Sequence, residues 1–312
     1  MKRWPFVILA MVVVCLIALP YLSSNYFVRL ATFVCLFAAL AQSWNFIGGY
    51  AGYPSLATAA FYGLGAYAGA ICQNHGVPMV LAWVIASVVV AGFTAALGYA
   101  VLRLRGHYFA VGSIVSVELL RLSLSAWDSL TGGGGGLNVP IFPGGPQAVG
   151  QLFLYVMLGV ALMTLAVTIA VDRSRLGFGL RCIRQNEDAA NAIGINTTLY
   201  KIIAFVLSGT FCGTVGAIYA SWTSYIDPTD SFNIVLTLKV PVMALLGGAG
   251  TVFGPAVGAA TFVIMEEVIW SNFLEYNRAI LGVVIVILIF FLPGGLLNIR
   301  LRRRAGPQEI AK

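Results

Sequence analysis

The charged residues with the clearest potential for chemistry lie together near the middle of the chain, in Asp172–Lys201, which we call the polar segment. Their spacing matches no metal-ligand pattern and no nucleophile–base pattern, so they suit ion pairing with a partner better than catalysis. The sequence on both sides is apolar, and the polar segment therefore predicts a water-facing, cationic, helix-capable interruption. Its charged residues are Asp172, Arg173, Arg175, Arg181, Arg184, Glu187, Asp188 and Lys201.

Motifs for catalysis are missing from the rest of the sequence. No GxxxxGK[ST] motif occurs, and the glycine run 132–136 is not followed by the lysine of a P-loop. The histidines, His75 and His107, have no carboxylate or thiol neighbours at metal-ligand spacing, and the cysteines follow no disulfide or metal pattern. We therefore expect no enzyme activity, cofactor or metal on this chain. Any ATP and Mg²⁺ would be bound by partner subunits.

Two ionisable residues fall inside an apolar stretch, Glu118 and Arg121. At i and i+3 they share one helix face and can pair. Ionisable residues within a membrane are candidates for function, and Glu118 could lie on a transport path. The alternative is a structural ion pair. A proton-coupled carrier usually has more buried carboxylates or a histidine relay, which disfavours an ion-coupled carrier.

The elements that position these residues are membrane spans. The chain has 312 residues, of which 60% are hydrophobic and only 9% are charged, whereas a soluble domain has about 25% charged residues. A span needs about 20 apolar residues. The sequence predicts an all-α polytopic membrane protein, a single domain over 1–312 with eight to ten spans, some of them broken or re-entrant. The predicted spans are 6–22, 28–47, 54–73, 79–102, 107–127, 149–171, 200–223, 233–249, 252–271 and 277–297.

The distribution of basic residues predicts the orientation. With the N-terminus inside, 14 of the 18 bases fall on the cytoplasmic side, as the positive-inside rule requires. The net charge of +7 is therefore a topology signal rather than a sign of nucleic-acid binding. Both termini, residues 172–200 of the polar segment and the tail 298–312 are expected in the cytoplasm. The first apolar run could be a signal peptide, but no small-x-small cleavage site follows it, which favours an uncleaved span.

Two loops are expected on the outer side, 128–148 and 225–231. The first contains five consecutive glycines, which hold regular structure only at a large entropic cost. Both loops could be simple connections or a docking surface for an external partner.

Small residues recur four apart within the spans, as in Gly65/Gly69 and Gly209/Gly213, a spacing that lets helix backbones approach closely. Two apolar segments, 49–65 and 247–258, are interrupted by glycine or proline. Such a pair in the two halves of a transporter indicates the substrate path. The candidate path residues are Gly49, Gly52, Pro54, Ser55, Thr58, Glu118, Gly248, Gly250, Thr251 and Gly254.

The polar segment predicts one amphipathic helix from Gly177 to Ile193, which Gly194 can end. Such a helix could lie on anionic lipid, but Glu187 and Asp188 would be repelled there, so a protein partner is favoured. The predicted apolar face consists of Leu180, Ile183 and Ala190, extended by Cys182, Ala189 and Ile193.

The run Asp188-Ala189-Ala190-x-x-x-Gly194 resembles the cytoplasmic motif of binding-protein-dependent ABC importer permeases, usually Glu-Ala-Ala-three-Gly. More narrowly, the chain resembles permeases for branched-chain amino acids, and among them the longer, M-type subunit. The segments that carry this resemblance are GYAGYPSLATAAFYGLGAY (49–67), YFAVGSIVSVELLRL (108–122), LRCIRQNEDAANAIGIN (180–196) and LLGGAGTVFGPAVGAA (245–260).

The resemblance implies a coupling helix that inserts into an ATPase subunit. It also implies a complex in a bacterial inner membrane with a second permease, two ATPases and a substrate-binding protein. The coupling residues it implies are Arg175, Gly177, Arg181, Arg184, Glu187, Asp188, Ala189, Ala190 and Gly194.

The implied cargo is a branched-chain or other apolar amino acid, and urea or a short amide is the alternative. The sequence departs from the family's Gln-Leu-Ser-Leu-Gly-His at 53–58, with Pro54, Ala57 and Thr58 at the changed positions. It also has only glycine where the family's outer loop reads TGG-x-x-GL. These departures leave the cargo open.

Overall fold

A computed structural model describes residues 4–104 and 106–272, together with Gly282, Gly295 and Leu296. The described residues are mostly helical. They contain thirteen α-helices: α1 (Trp4–Leu22), α2 (Asn25–Trp44), α3 (Thr58–Asn74), α4 (Met79–Val101), α5 (His107–Ser125), α6 (Asp128–Thr131), α7 (Pro146–Arg173), α8 (Arg175–Gln185), α9 (Glu187–Ala192), α10 (Thr197–Thr223), α11 (Pro228–Ser231), α12 (Ile234–Gly247) and α13 (Gly254–Asn272).

Short elements complete the fold. A π-helical turn, Asn45–Tyr50, continues α2, and a 3₁₀ turn covers Gly133–Gly135. Strands β1 (Leu137–Asn138) and β2 (Tyr225–Ile226) form an antiparallel ribbon, with Leu137 opposite Ile226. This ribbon joins the two loops that the sequence assigns to the outer side.

The all-α membrane architecture predicted from the sequence is confirmed. In the described part of the chain six helices are long and apolar enough to cross a membrane: Asn25–Tyr50, Met79–Val101, His107–Ser125, Pro146–Arg173, Thr197–Thr223 and Pro228–Gly247. Helices α1, α3 and α13 match three further predicted spans within a few residues. The predicted span 277–297, apart from Gly282, Gly295 and Leu296, and the predicted tail 298–312 lie outside the described residues.

Helix α10 lies at the centre of the bundle and packs against α3, α4 and α2, while α2 also packs against α7 and α13. Two of the glycines predicted to form packing ridges lie at the α3–α10 contact. A Cβ added at Gly65 would come 2.1 Å from the carbonyl oxygen of Gly213. Close backbone approach of this kind is how helices associate where the hydrophobic effect is absent.

Replacing Gly65 with alanine is therefore expected to disrupt the bundle, because backbone atoms on α10 cannot move aside as a flexible side chain could. The monodisperse fraction in detergent, measured by size-exclusion chromatography, should fall. Gly92→Ala on α4 is the matched control, since nothing lies within 4 Å of its added Cβ. Equal behaviour of the two variants would contradict the close α3–α10 contact.

The prediction of one helix over Gly177–Ile193 is wrong. The segment forms two helices, α8 and α9, separated at Asn186, whose extended backbone has φ −161° and ψ 113°. The Asn186 Oδ1 atom accepts a hydrogen bond from the Ala189 amide at 3.0 Å. Asparagine competes well for this N-cap role, and the acidic residues after it suit a helix start. The Asn-Glu-Asp sequence therefore begins a second helix.

Candidate functional site

The polar segment folds against one end of the bundle, which we call the α8 end. Ser174 caps α8, and Leu180, Ile183 and Ala190 are buried as predicted. Ala189 and Ile193, predicted on the apolar face, are instead exposed, because the break at Asn186 turns α9 away from the line of α8. Gly194 follows α9 with φ +87°, as expected of a glycine that ends a helix.

Arg184 connects the polar segment to the bundle. Its Nη1 atom donates a hydrogen bond to the backbone carbonyl of Gly49 at 2.7 Å. A Cβ added at Gly52 would come 2.9 Å from Arg184 Cγ, and one at Gly250 would come 2.5 Å from Nη1. The arginine therefore contacts both glycine-interrupted segments at once, although the sequence pattern placed it away from the apolar face of the helix.

The two glycine-interrupted segments meet at the α8 end, in what we call the glycine junction, formed by residues 49–52 and 248–254. Asn45, fully buried in the π-helical turn, holds them together. Its Oδ1 accepts from the Gly250 amide at 2.7 Å, and its Nδ2 donates to the Thr251 carbonyl at 3.0 Å. Gln42 adds a bond from its Nε2 to the Val252 carbonyl at 2.6 Å.

A buried ion pair provides a second connection. Lys201 Nζ lies 2.6 Å from Glu187 Oε1, and the two side chains are only 4% and 15% exposed. Lys201 also donates to the Tyr53 hydroxyl at 3.2 Å and to the Leu102 carbonyl at 3.4 Å. The Tyr53 hydroxyl bonds Glu187 as well. The prediction that the polar segment faces water up to Lys201 is wrong here, because these charges satisfy one another inside the protein.

Other coupling candidates stay near the surface of the polar segment. Arg181 pairs with Asp172 at 2.7 Å, which joins α8 to the end of α7. Gly177 lies in the first turn of α8, where a Cβ would come 2.2 Å from the Val171 carbonyl oxygen at the end of α7. Arg175 and Asp188 are exposed. The segment thus has an inner side that contacts the bundle and an outer side open to a partner.

The remaining path candidates divide into two places. Thr251 closes the 248–254 loop by donating to the Gly248 carbonyl at 2.7 Å and accepting from the Gly254 amide at 3.1 Å. Pro54 is exposed beside the junction, whereas Ser55 and Thr58 are buried. Glu118 is not part of this junction. It pairs with Arg121 on α5, with both side chains partly exposed.

Sequence reasoning missed Asn45 and Tyr53 as site residues. Asn45 is a polar residue three positions before the Gly48-Gly49 pair in an apolar run, and this position was the available signal. In the sequence, Tyr53 is distinguished only as the first residue of 53–58, the stretch that departs from the family pattern. Its bond to Glu187 joins positions 134 apart in the chain, which no local spacing indicates.

These features define a class. The chain is a multi-pass helical membrane protein in which a polar inter-span segment contacts a glycine-rich junction between spans, an arrangement suited to a permease rather than an enzyme. It belongs to the family described as "Branched-chain amino acid transport system / permease component", which matches residues 26–290. The family resemblance predicted from the sequence is confirmed.

Individual relatives agree with this assignment. The high-affinity branched-chain amino acid permease protein LivM of Salmonella typhimurium is 28% identical over 308 aligned positions, covering 90% of this chain and 72% of the relative. LivM of Escherichia coli K12 matches to the same extent. The LivH permease of Escherichia coli K12 is 24% identical over 200 positions, covering 60% of this chain and 63% of the relative. No solved structure matches the chain.

Proposed function

We propose that this chain is a translocation subunit of an ATP-driven importer for branched-chain or other apolar amino acids. The family assignment supports the permease role, and the names of the LivM and LivH relatives support the cargo class. The observation that carries the proposal is the contact of Arg184 with Gly49 and Gly250. It links a water-accessible segment directly to the junction between spans.

In this proposal the α8 end faces the cytoplasm of a bacterial inner membrane, and both termini lie on that side. Of two ATPase subunits that bind ATP and Mg²⁺, one docks on the outer side of α8 and α9. A second, homologous permease and a substrate-binding protein complete the complex. The exposed Phe178 and Ile193, 61% and 69% accessible, offer apolar contacts beside Arg175 and Asp188.

Movement of α8 and α9 would reach the bundle by two routes. In the first route, Arg184 would displace the glycine junction. The backbone there has positive φ values at Gly52, Gly248 and Gly250, which residues other than glycine rarely adopt. The Glu187–Lys201 pair would act on Tyr53 and the end of α4. Both routes lead to the segments that the sequence predicts along the substrate path.

Reconstitution tests this function. Proteoliposomes that contain the chain, its second permease, the ATPases and the binding protein should accumulate labelled L-leucine only when ATP is enclosed with the ATPases. Accumulation without ATPase subunits, driven by a proton or sodium gradient, would instead indicate a secondary carrier. Transport of urea or acetamide in preference to leucine would identify the alternative cargo.

Replacing Gly194 with valine is expected to impair coupling without loss of insertion. The residue has φ +87° and open space around it, so the cost is backbone strain of about 1–2 kcal/mol at the end of α9. Substrate-stimulated ATP hydrolysis should fall several-fold. Gly76→Val is the matched control, because Gly76 also has a positive φ, +82°, and equally open surroundings. It follows the C-terminal end of α3 and is not part of the polar segment. Similar losses in both variants would contradict a coupling role.

A further inference from the structure

Asp172, the one acidic residue of α7, joins the polar segment to the glycine junction by a contact that is separate from that of Arg184. Its Oδ1 atom accepts a hydrogen bond from the Tyr50 hydroxyl at 3.2 Å and another from Arg181 Nη1 at 2.7 Å. A single carboxylate oxygen therefore connects a residue of the junction with a residue of α8. We call the three residues Tyr50, Asp172 and Arg181 the carboxylate bridge.

The two ends of the carboxylate bridge lie in different surroundings. Tyr50 is fully buried and is the last residue of the π-helical turn that begins at Asn45. The Arg181 and Asp172 side chains are 45% and 32% exposed, so water and a partner protein can reach them. A partner that moves α8 or binds Arg181 would therefore change a hydrogen bond that ends inside the bundle.

The α7–α8 connection keeps Asp172 close to α8. Arg181 Nη2 donates a second bond, of 3.1 Å, to the backbone carbonyl of Asp172, one of the carbonyls that have no partner within α7 because they lie at its end. Gly177 lets α8 approach so closely that an added Cβ would come 2.2 Å from the Val171 carbonyl oxygen. Movement of α8 is therefore expected to carry the Asp172 carboxylate with it.

The Tyr50 hydroxyl depends on this carboxylate. In the described part of the chain, Asp172 is its hydrogen-bond partner. A polar group that stays buried without a partner is unfavourable, so loss of the carboxylate favours a junction in which Tyr50 has moved. The carbonyl of the preceding residue, Gly49, accepts the bond from Arg184. The junction is thus held at two consecutive residues, from α8 at Gly49 and from α7 at Tyr50.

We propose that Asp172 is a positioning residue that transmits movement of α8 to the glycine junction through the Tyr50 hydroxyl. It adds a third route to those through Arg184 and through the Glu187–Lys201 pair. This inference rests on the proposed function, since it assigns the carboxylate bridge to the coupling of ATP hydrolysis with leucine uptake. Two anchors at consecutive residues fix the direction of the junction backbone as well as its position.

The test measures leucine uptake per ATP hydrolysed by the complete complex in proteoliposomes. Tyr50→Phe removes the hydroxyl and keeps the ring, and uptake should fall about tenfold, the lower end for a bond to a charged group because 3.2 Å is long. Asp172→Ala, a change that a helix end tolerates, should lose at least as much. Because both residues act through one bond, the double variant should be no worse than Asp172→Ala alone.

Tyr67→Phe is the matched control for Tyr50→Phe. Tyr67 is also a buried tyrosine, but its hydroxyl has no hydrogen-bond partner among the described residues, so the change removes no bond. Uptake per ATP should stay at the wild-type value. Normal uptake in Tyr50→Phe or Asp172→Ala would overturn the proposal, as would losses that multiply in the double variant.

Hydrogen exchange provides a readout that does not depend on transport. In the purified complex without ATP, mass spectrometry should show exchange of residues 45–52 faster by about tenfold in Tyr50→Phe and Asp172→Ala, since the same bond holds the junction closed, and unchanged in Tyr67→Phe. Unchanged exchange in all three variants would overturn the proposal. A wild-type complex that does not take up leucine with ATP would reject the proposed function, while the exchange rates still decide whether Asp172 positions the junction.

Discussion

Replacing Lys201 with methionine is expected to destabilise the protein by about 3–5 kcal/mol, because it removes one partner of a buried ion pair. The thermal unfolding temperature in detergent, followed by tryptophan fluorescence, should fall accordingly. Arg181→Met is the matched control. It breaks the Asp172 pair at the α8 end, whose side chains are 45% and 32% exposed, and water can solvate the carboxylate that remains. A loss of stability as small as that of the control would contradict the buried pair.

The double variant Glu187→Leu, Lys201→Met separates stability from coupling. Removing both charges leaves neither half of the buried pair behind, so most of the lost stability should return. Leucine uptake should remain impaired, since α9 no longer holds Tyr53 and the end of α4 through these charges. Full uptake in a stable double variant would show that the pair serves only to hold the fold.

Replacing Arg184 with methionine is expected to reduce leucine uptake by about ten- to a hundredfold while partner ATPases continue to hydrolyse ATP. Methionine keeps an apolar stem against Gly52 but loses the charge-assisted bond to the Gly49 carbonyl. Such a bond contributes about 1.5–3 kcal/mol, which corresponds to this range. The measurement is uptake per ATP hydrolysed in proteoliposomes.

Two further variants show whether the position and the shape of the Arg184 side chain matter for uptake. Arg103→Met is the control, because Arg103 lies beside α4 and stacks on Tyr99 at 4.4 Å without reaching the glycine junction. Arg184→Lys tests geometry, since a lysine presents one point charge in place of a planar fork and should restore uptake only in part. Normal uptake per ATP in Arg184→Met would remove this contact from the proposed mechanism.

Much of the fold could be predicted because membrane spans are local properties. An apolar run of about 20 residues must satisfy its backbone hydrogen bonds internally, so length and composition alone predict helices such as α4, α7 and α10. The glycine spacing predicted close helix contacts, and Gly65 against Gly213 is one of them. The break at Asn186 was missed because an average amphipathic pattern outweighed a single capping residue.

The candidate site was predictable in its location but not in its contacts. By itself the sequence determined the membrane class, the polar segment and the two glycine-interrupted segments, since each depends on neighbouring residues. Only the tertiary structure decided that Arg184 binds the Gly49 carbonyl, 135 positions away, and that Asn45 binds Gly250, 205 positions away. It also placed Lys201 in the interior with Glu187. Such pairings depend on how whole helices pack, and the helical period of one segment carries no information about its distant partners.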